Sequence, residues 1–387
     1  MFDLNSELEN KRRAGLFRKR LINNSAQGVH PTIDGRQVLS FCSNDYLGLA
    51  NHPDIKRAFI QAVESYGVGS GSAHLINGHS QLHHDCEQHL AEFTGRDQAL
   101  LFSTGYMANL AITSALLGRH DFAYQDKLNH ASLIDAAKIC GARLVRYRHN
   151  DTEQLAALLQ ENQSESRKLV MTDGVFSMDG DCADLTEISR ISAQHQSWCM
   201  VDDAHGFGVL GKTGAGLLEQ LDLSQQQVPI LMATLGKAVG TAGAFVAGSD
   251  DLIETLIQQA RPYIYTTASP PAIAAATMCS LAIIEQEAWR REKLQELITY
   301  FRERMAGIDV ELMPSNTAIQ PIVTGDNNLT LELSNKLMRE GIHVGAIRPP
   351  TVPVGSARLR VTLSAAHEKS DVDQLVNLLA RFYPDQQ

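Results

Sequence analysis

The sequence lacks the features that would mark a membrane protein, a nucleic-acid-binding protein or a disulfide framework. Among its 387 residues no apolar run approaches the roughly 20 residues that a membrane helix needs. Basic residues number 34 against 44 acidic ones, and the resulting net charge of −10 does not attract nucleic acid or an anionic membrane. The six cysteines are scattered without a C-x-x-C pair, which predicts small core residues in a reducing cytoplasm.

The N-terminal segment also lacks the pattern of a targeting peptide. Acidic residues come early and no apolar stretch follows a basic start, so neither a secretory signal nor a transit peptide is expected. No internal repeat and no low-complexity linker interrupts the chain. With 44% hydrophobic residues, the chain has ample apolar surface for a large core, and its length favours one large and one small domain.

The first segment of the sequence predicts a helix followed by short strands. Apolar residues at helical spacing predict an amphipathic helix over residues 4–21, and a short strand pair is expected around residues 38–42. The other face of that helix is basic, and the simplest interpretation of a charged face is that it is solvated. The basic residues are Lys11, Arg12, Arg13, Arg18, Lys19 and Arg20.

A regular alternation of short apolar runs and helical patterns extends from about residue 98 to 246. Seven runs predict strands, at residues 99–102, 122–124, 143–147, 169–172, 199–201, 230–234 and 244–247. Helical patterns lie between several of them, at residues 107–117, 132–140 and 152–160. Continuous apolar strands flanked by helices predict an α/β fold with a mostly parallel seven-stranded sheet covered on both faces. In such sheets ligands bind at the carboxyl ends of the strands.

A long helical pattern over residues 271–305 leads into a region with its own strands and helices. We therefore predict three segments: an N-terminal helix and strand segment (1–45), a large domain (46–289) and a smaller C-terminal α+β domain (290–387).

Two of the predicted strands end in side chains that suit pyridoxal 5'-phosphate (PLP). Lys237 follows an apolar strand and a glycine, and a desolvated lysine amine at that position can form a Schiff base with an aldehyde. Asp202 ends another strand, where a buried carboxylate can keep the cofactor's ring nitrogen protonated, and His205 can bond the ring hydroxyl. Without the other residues, Lys237 would be interpreted as a surface lysine and Asp202 as a turn residue.

Three other strand ends offer the remaining contacts that this cofactor needs. Ser103, Thr104 and Gly105 lead from a strand into a helix whose first amides can bind a phosphate, although the same pattern also makes a plain N-cap. Thr234 adds a hydroxyl. His130 opens the next helix and can stack on the pyridine ring. Ser177 follows another strand. The coincidence of five strand ends, rather than any one residue, indicates PLP.

Four motifs in these segments closely resemble the α-oxoamine synthases, a branch of the type I, aspartate-aminotransferase-like PLP enzymes. The motifs are Ser-Asn-Asp-Tyr-Leu-Gly-Leu (43–49), Gly-Val-Phe-Ser-Met-Asp-Gly (174–180), Val-Asp-Asp-Ala-His-Gly (201–206) and Thr-Leu-Gly-Lys (234–237). The resemblance runs from about residue 41 to 367. It implies a Schiff base on Lys237, with Asp202, His205 and the stacked His130 around the ring. It further implies cofactor contacts from Gly105, Tyr106, Ser177 and Thr234.

The C-terminal motifs narrow the expected reaction. Ala-Ile-Arg-Pro-Pro-Thr-Val-Pro (346–353), Ala-Arg-Leu-Arg (357–360) and Ser-Ala-Ala-His (364–367) resemble the family member that condenses L-alanine with a pimeloyl thioester in biotin biosynthesis. That resemblance implies that Arg360 binds the amino-acid carboxylate and that Arg18 and Thr351 contact the acyl substrate, with His130 steadying the acyl group. Both a CoA and a carrier-protein thioester remain open as the donor. It also implies a homodimer with active sites at the subunit interface, where Thr266 or Thr267 reaches the neighbour's phosphate.

Other interpretations remain open at the level of sequence. The chain could be a branch member with another amino acid or acyl chain, because one methyl group gives only about 1–3 kcal/mol of discrimination. An aminotransferase or a non-catalytic cofactor-binding protein are further alternatives. Histidines 79, 83, 84 and 89 follow no ligand pattern, so we predict no metal site. Residues 69–74 depart from the family's Gly-Gly-Ser-Arg pattern, and the role of that loop stays open.

Overall fold

The computed structural model describes residues 2–13, 16–162 and 164–383. The chain forms two compact units. The first comprises Met1–Gly48, Met178–Asp181 and Glu292–Gln387, and the second comprises Leu49–Ser177 and Cys182–Arg291. The domain boundaries expected after residues 45 and 289 stay predictions.

The helices are, in chain order, α1 (Leu4–Arg13), α2 (Pro53–Tyr66), α3 (Gln81–Thr94), α4 (Gly105–Leu116), α5 (Ala131–Cys140), α6 (Thr152–Glu161), α7 (Leu185–Gln194), α8 (Leu217–Gln220), α9 (Asp250–Gln259), α10 (Arg261–Ile264), α11 (Pro271–Gln286), α12 (Trp289–Met305), α13 (Asn327–Arg339) and α14 (Lys369–Phe382). A π-helical turn, His74–Gly78, precedes α3.

The strands are β1 (Thr32–Ile33), β2 (Arg36–Gln37), β3 (Leu39–Ser40), β4 (Gln98–Phe102), β5 (Phe122–Asp126), β6 (Arg143–Tyr147), β7 (Lys168–Asp173), β8 (Trp198–Asp202), β9 (Ile230–Thr234), β10 (Ala244–Gly248), β11 (Glu311–Leu312), β12 (Ile319–Gly325), β13 (Ile342–His343), β14 (Gly345–Ile347) and β15 (Ala357–Thr362).

The second unit is built on a seven-stranded sheet in the order β4-β10-β9-β8-β7-β5-β6. Strands β5 to β9 pair in parallel, and β10 runs antiparallel to both of its neighbours, β9 and β4. Strand β10 is buried along its whole length, and β7 and β8 are buried except at their first residues. Strands shielded on both faces are what continuous apolar runs predict. The predicted α/β fold with a mostly parallel seven-stranded sheet is confirmed.

The first unit contains a four-stranded antiparallel sheet, in the order β11-β12-β15-β14, and the helices α13 and α14. The central strand β15 is buried throughout. Strand β3 pairs in parallel with β13, so a segment near residue 40 joins a segment more than 300 residues later in the chain. The α+β character expected for the C-terminal region is therefore present.

Three local predictions were wrong. The helix expected over residues 4–21 ends at Arg13, and residues 16–20 are not helical; Ala14 lies outside the described residues. None of the residues of α1 is buried, and a short helix without a packed face gains little stability. The strand expected over residues 38–42 spans only Leu39–Ser40 and follows a separate hairpin, β1–β2. The single helix expected over residues 271–305 is divided into α11 and α12 because Glu287 leaves the helical conformation.

Candidate functional site

Five strands of the second unit deliver the predicted cofactor residues to one edge of the sheet. Strands β5, β7, β8 and β9 are parallel, and β4 shares their direction because both β4 and β9 run against β10. Their carboxyl ends therefore lie at the same edge. Residues after these ends include Gly105, His130, Ser177, His205 and Lys237. The edge is where ligands bind in sheets of this kind.

Asp202 is the last residue of β8 and is only 5% exposed. Its Oδ1 accepts a hydrogen bond from the amide of Ala204 (3.1 Å), and its Oδ2 accepts one from Asn109 Nδ2 (2.9 Å). Two donors fix the direction of the carboxylate. A buried, oriented carboxylate favours a cationic group facing it, as a protonated pyridine nitrogen would be.

Asn109 links Asp202 to His130. On α4, the second N–H of its amide donates to Ser132 Oγ (2.8 Å), and that hydroxyl lies 2.7 Å from His130 Nδ1. His130 is the N-cap of α5, where the same Nδ1 accepts from the amide of Ser132 (3.3 Å). The sequence-based site did not include Asn109 or Ser132. Asn109 could have been noticed in the sequence as a polar residue within the apolar helix that follows Gly105. In the structure it is completely buried.

Lys237 lies three residues beyond β9 and is half-buried. Its Nζ donates to Thr234 Oγ1 (3.3 Å), and that hydroxyl is 3.5 Å from the carbonyl oxygen of Ala204. A Cβ on Gly105 would lie 2.8 Å from Thr234 Cγ2. Thr234 therefore lies next to three parts of the predicted site: Lys237, the start of α4 and the loop after β8.

The start of α4 fits an anion. Thr104 is the N-cap, and its hydroxyl accepts from the amide of Met107 (3.2 Å). The first amides of a helix have no carbonyl partner within it, so those of Gly105 and Tyr106 suit a phosphate. Glycine is required at position 105 because any Cβ would crowd Thr234. The Tyr106 phenol donates to Asp135 Oδ2 (2.8 Å), which leaves the amide as the tyrosine's expected cofactor contact.

Asp173 is a buried carboxyl group that the sequence-based site missed. It ends β7 beside Asp202, and its Oδ2 accepts from the backbone amide of His130 (2.9 Å). Its own amide donates to Asn129 Oδ1 (3.2 Å). Burial, followed by the charge of Asp202, raises the pKa of Asp173, while Lys237 acts in the opposite direction. Asp173 could have been noticed in the sequence because it directly precedes the motif Gly174-Val175-Phe176-Ser177.

Asp203 organises the loop after β8. It is fully buried, and its Oδ2 accepts from the amide of Leu217 (2.7 Å). A Cβ on Gly206 or Gly216 would approach a carboxyl oxygen of Asp203 to 2.2 Å or 2.0 Å, so both glycines are needed for the carboxyl group to fit. Burial raises the pKa of Asp203 to about 8.

The chemistry of these residues fits PLP. The amine of Lys237 can bond to an aldehyde, Asp202 suits a ring cation, and the start of α4 suits a phosphate. The histidines and Ser177 follow neighbouring strand ends, with Ser177 and His205 both half-buried.

In the first unit, Arg360 on β15 is buried, with 7% exposure. Its two terminal nitrogens lie 3.3 Å from Asn44 Oδ1, and one donates to Thr362 Oγ1 (3.0 Å). Tyr46 also bonds to the guanidinium; burial raises its pKa to about 12, and the Arg360 charge opposes that shift. Side-chain oxygens thus fix the direction of the buried guanidinium, and a guanidinium is well suited to a carboxylate ligand.

Arg18 and Thr351, predicted to contact the acyl substrate, touch each other. Arg18 Nη2 donates to Thr351 Oγ1 (3.3 Å) despite a separation of 333 residues in the chain. Burial and the nearby charge of Arg18 lower the pKa of Arg348. Arg348 therefore lies near enough to Arg18 for their charges to interact.

No helix among the described residues is both long and apolar enough to span a bilayer. The six cysteines are free thiols.

Comparison with known proteins agrees with the predicted resemblance. A family profile described as "Aminotransferase class I and II" matches residues 36–379. The chain is 57% identical over 381 residues to an 8-amino-7-oxononanoate synthase of Thioalkalivibrio sulfidiphilus, covering 98% of this chain and 97% of the relative.

Two solved structures have the same fold. One is an 8-amino-7-oxononanoate synthase from Francisella tularensis, with 34% identity, a TM-score of 0.79 and coverage of 89% and 97% of the two chains. The other is a serine palmitoyltransferase variant from S. paucimobilis with a bound PLP–myriocin aldimine, with 29% identity, a TM-score of 0.93 and coverage of 98% and 96%. The predicted resemblance is confirmed, and the chain belongs to the 8-amino-7-oxononanoate synthase family within the class I and II aminotransferases.

Proposed function

We propose that the chain is a PLP-dependent acyltransferase that condenses L-alanine with a pimeloyl thioester, releasing carbon dioxide and the free thiol. The product is 8-amino-7-oxononanoate, a biotin precursor. The name shared by relatives 54–57% identical over nearly the whole chain supports this reaction. The observation that carries it is the position of Lys237 and Asp202 at adjacent strand ends, with the start of α4 contacting Thr234 beside them.

Residues of the second unit would hold the cofactor. Lys237 Nζ would bond to the aldehyde carbon, Asp202 would face the ring nitrogen, and His205 would bond the ring hydroxyl. The amides of Gly105 and Tyr106 and the Thr234 hydroxyl would hold the phosphate, while His130 would stack on the ring and Ser177 would contact its substituents. When bound, PLP supplies an electron sink that stabilises negative charge on the amino acid's Cα.

The protein's own groups move the protons and orient the substrates. The Lys237 amine, when it is not bonded to the cofactor, would be the base that removes the Cα proton of alanine. The buried carboxylate of Asp202 would keep the ring cationic, and the Asn109 amide holds that carboxylate in position. His130, oriented through Ser132 and through Asp173, steadies the acyl group.

Residues of the first unit would bind the carboxylate groups of the two substrates. Arg360 suits the alanine carboxylate because a guanidinium fork binds a carboxylate through two parallel hydrogen bonds. Arg18, Thr351 and Arg348 suit the distal carboxylate of the pimeloyl chain, since one hydroxyl and two guanidinium groups converge there.

The Lys237→Ala variant tests the cofactor assignment. We expect it to lack the visible absorbance of covalently held PLP and to lose turnover, because no other amine replaces Nζ. A variant that retains both the absorbance and turnover would contradict the assignment. Lys212→Ala, which changes a lysine elsewhere in the second unit, is the control and should behave like wild type.

A product assay tests the substrate assignment. L-alanine, glycine and L-serine are each paired with pimeloyl and palmitoyl thioesters, and the pimeloyl donor is offered both on CoA and on a carrier protein. We expect the alanine–pimeloyl pair to give the highest kcat/KM. Preference for serine with palmitoyl-CoA would place the chain with the serine palmitoyltransferases.

We also propose that two copies form a homodimer in the cytoplasm. Large apolar side chains are exposed on α2 and on the segment after it, and we call this set the apolar strip: Phe59, Ile60, Tyr66, Val68, Leu75 and Ile76. Ala73, next to the strip, pairs with Thr267, so the strip continues toward the 70%-exposed Tyr265. A second copy would cover this surface, and Thr266 or Thr267 would then reach the partner's phosphate.

A further inference from the structure

Three histidines outside the proposed cofactor site converge in the second unit. His74, His79 and His83 each offer a ring nitrogen, and these nitrogens lie within 4.8 Å of one another. Their ring centroids are 5.1–5.7 Å apart. The sequence predicted no metal site because the spacing of the histidines matched no ligand pattern. We call the group the three-histidine cluster.

The backbone explains why an unfamiliar spacing brings these rings together. Residues His74–Gly78 form a π-helical turn, closed by a hydrogen bond from the amide of Gly78 to the carbonyl of Ala73 (3.0 Å). His79 leaves this turn, and His83 lies in the first turn of α3. Position 78 requires glycine, because a Cβ there would lie 2.1 Å from the carbonyl oxygen of Ser72.

One of the three rings has a hydrogen-bond partner at its far nitrogen, as metal-binding histidines usually do, and a second has a carboxyl group nearby. The Nδ1 atoms of His74 and His79 are 2.9 Å apart, so they cannot both carry protons. The other nitrogen of His79, Nε2, is 3.8 Å from Glu87 Oε2, and His83 Nε2 is 2.8 Å from the carbonyl of Ser269. A carboxylate or carbonyl at the far nitrogen is the usual outer partner of a ligating imidazole.

Two further contacts hold the cluster in place. Tyr263 stacks on the His74 ring, with centroids 4.9 Å apart. His83 Nδ1 accepts from the amide of Ser80 (3.1 Å) and lies 3.0 Å from the Ser80 hydroxyl oxygen, and both contacts would give way to an ion. The free energy of three metal–nitrogen bonds exceeds the cost of losing these two hydrogen-bonding contacts.

We propose that the three-histidine cluster binds one divalent transition-metal ion of the imidazole-preferring class, represented by Zn²⁺. His74, His79 and His83 are its ligands through Nδ1, and Glu87 supports His79. Three nitrogen ligands suit Zn²⁺, Co²⁺, Ni²⁺ or Cu²⁺ rather than Mg²⁺ or Ca²⁺, which prefer oxygen. A fourth position stays open to water. The ion would clamp the loop of residues 69–80, the loop for which the family resemblance gave no role.

Metal titration of tag-free, PLP-loaded protein tests this site. We expect equilibrium dialysis to find one Zn²⁺ per chain in the presence of excess Mg²⁺. We expect Co²⁺, used as a spectroscopic substitute, to show the intense visible bands of a four-coordinate ion. His74→Ala and His79→Ala should each weaken binding by about 100-fold or more, and Glu87→Gln, which keeps the acceptor for Leu101, by about 10- to 100-fold. His89→Ala, on the same helix α3 but outside the cluster, should bind as wild type does.

The PLP absorbance of each variant shows whether it has folded, independently of metal binding. Equal Zn²⁺ affinity in wild type, His74→Ala and His79→Ala would overturn the proposal. So would a wild-type Co²⁺ spectrum of six-coordinate, water-like type. Neither result bears on the proposed condensation, which uses none of these histidines.

Discussion

At the scale of single residues, the chemistry of the proposed site depends on one buried carboxylate held by two donors. Asp202→Asn removes the charge that favours a protonated ring nitrogen but keeps the shape of the side chain. Removing one partner of a buried charge pair costs about 3–5 kcal/mol, so we expect kcat to fall about 10²- to 10⁴-fold. Steady-state kinetics on PLP-loaded enzyme would measure this loss. Asp135→Asn, which affects only the contact of the Tyr106 phenol, should change kcat little.

In the proposed mechanism Asp173 would act through His130 rather than on the substrate directly. Asp173→Ala removes the acceptor for the His130 amide, and a lost buried hydrogen bond costs about 1–3 kcal/mol. We expect kcat to fall about 5- to 150-fold while the PLP absorbance is retained. Asp173→Asn keeps an oxygen acceptor and should restore most of the activity. If both variants lose activity equally, the negative charge rather than the hydrogen bond is the contribution of Asp173.

The site residues that sequence could predict are those that follow strand ends, because the end of an apolar run is visible in the sequence. Lys237, Asp202 and His205 belong to this group. Asn109 and Ser132 were not predictable in this way, since each lies within a helix and its role depends on which helices pack together. Asn44 and Tyr46 were visible as part of a motif, but their contact with Arg360, more than 300 residues later, depends on tertiary structure.

At the scale of elements, the motif Gly-Val-Phe-Ser-Met-Asp-Gly divides between the two units. Ser177 belongs to the second unit, whereas residues 178–181 belong to the first. There Asp179 forms a buried ion pair with Arg358, and the hydroxyls of Ser315 and Thr317 donate to the carbonyl of Gly180. The latter half of this motif therefore stabilises the first unit. The sequence pattern alone did not show that this half has a structural role, whereas Ser177 was predicted to contact the cofactor.

The buried Asp203 gives the loop after β8 a measurable pH dependence. Its pKa is about 8 in the folded protein but about 3.9 in an unfolded chain, so between these values the folded state holds the extra proton. The contribution of the protonated Asp203 to the free energy of unfolding is complete below about pH 4. As the pH rises toward 8, this free energy falls by at most about 1.4 kcal/mol per pH unit. Asp203→Asn cannot ionise and should lack this loss.

Thermal midpoints of the wild type and Asp203→Asn at several pH values would measure the difference. We expect the midpoint of the variant relative to wild type to rise steadily from pH 5 to pH 8. A difference that stays constant with pH would show that Asp203 is ionised in the folded protein.

Strand and helix positions in the second unit followed from sequence because burial on both faces leaves continuous apolar runs. Strands β6 and β9 match the predicted residues, and the other five differ by one or two residues at one end or by one residue at both ends. The end of α1 and the boundary between α11 and α12 could not be predicted from the sequence in this way. In α1 the helical pattern continues past Arg13 in the sequence, but no core covers its apolar residues.

At the scale of the whole molecule, the apolar strip leads to the proposal of a homodimer. Val68 is 80% exposed and Ile60 is 57% exposed, which is costly for large apolar side chains unless a partner covers them. Isologous dimers bury the same patch on both copies, so one substitution changes the interface twice.

We therefore expect wild type to sediment as a dimer, and Val68→Glu and Ile60→Glu to dissociate it, since each places two charges in one apolar interface. Both variants should lose activity and PLP affinity together, because the partner's Thr266 or Thr267 no longer reaches the phosphate. Analytical ultracentrifugation alongside activity over a dilution series would follow both properties. Ile139→Glu, an exposed residue of α5 outside the strip, controls for the added charge and should remain dimeric. A wild-type monomer that stays fully active on dilution would show that each chain builds its phosphate site alone.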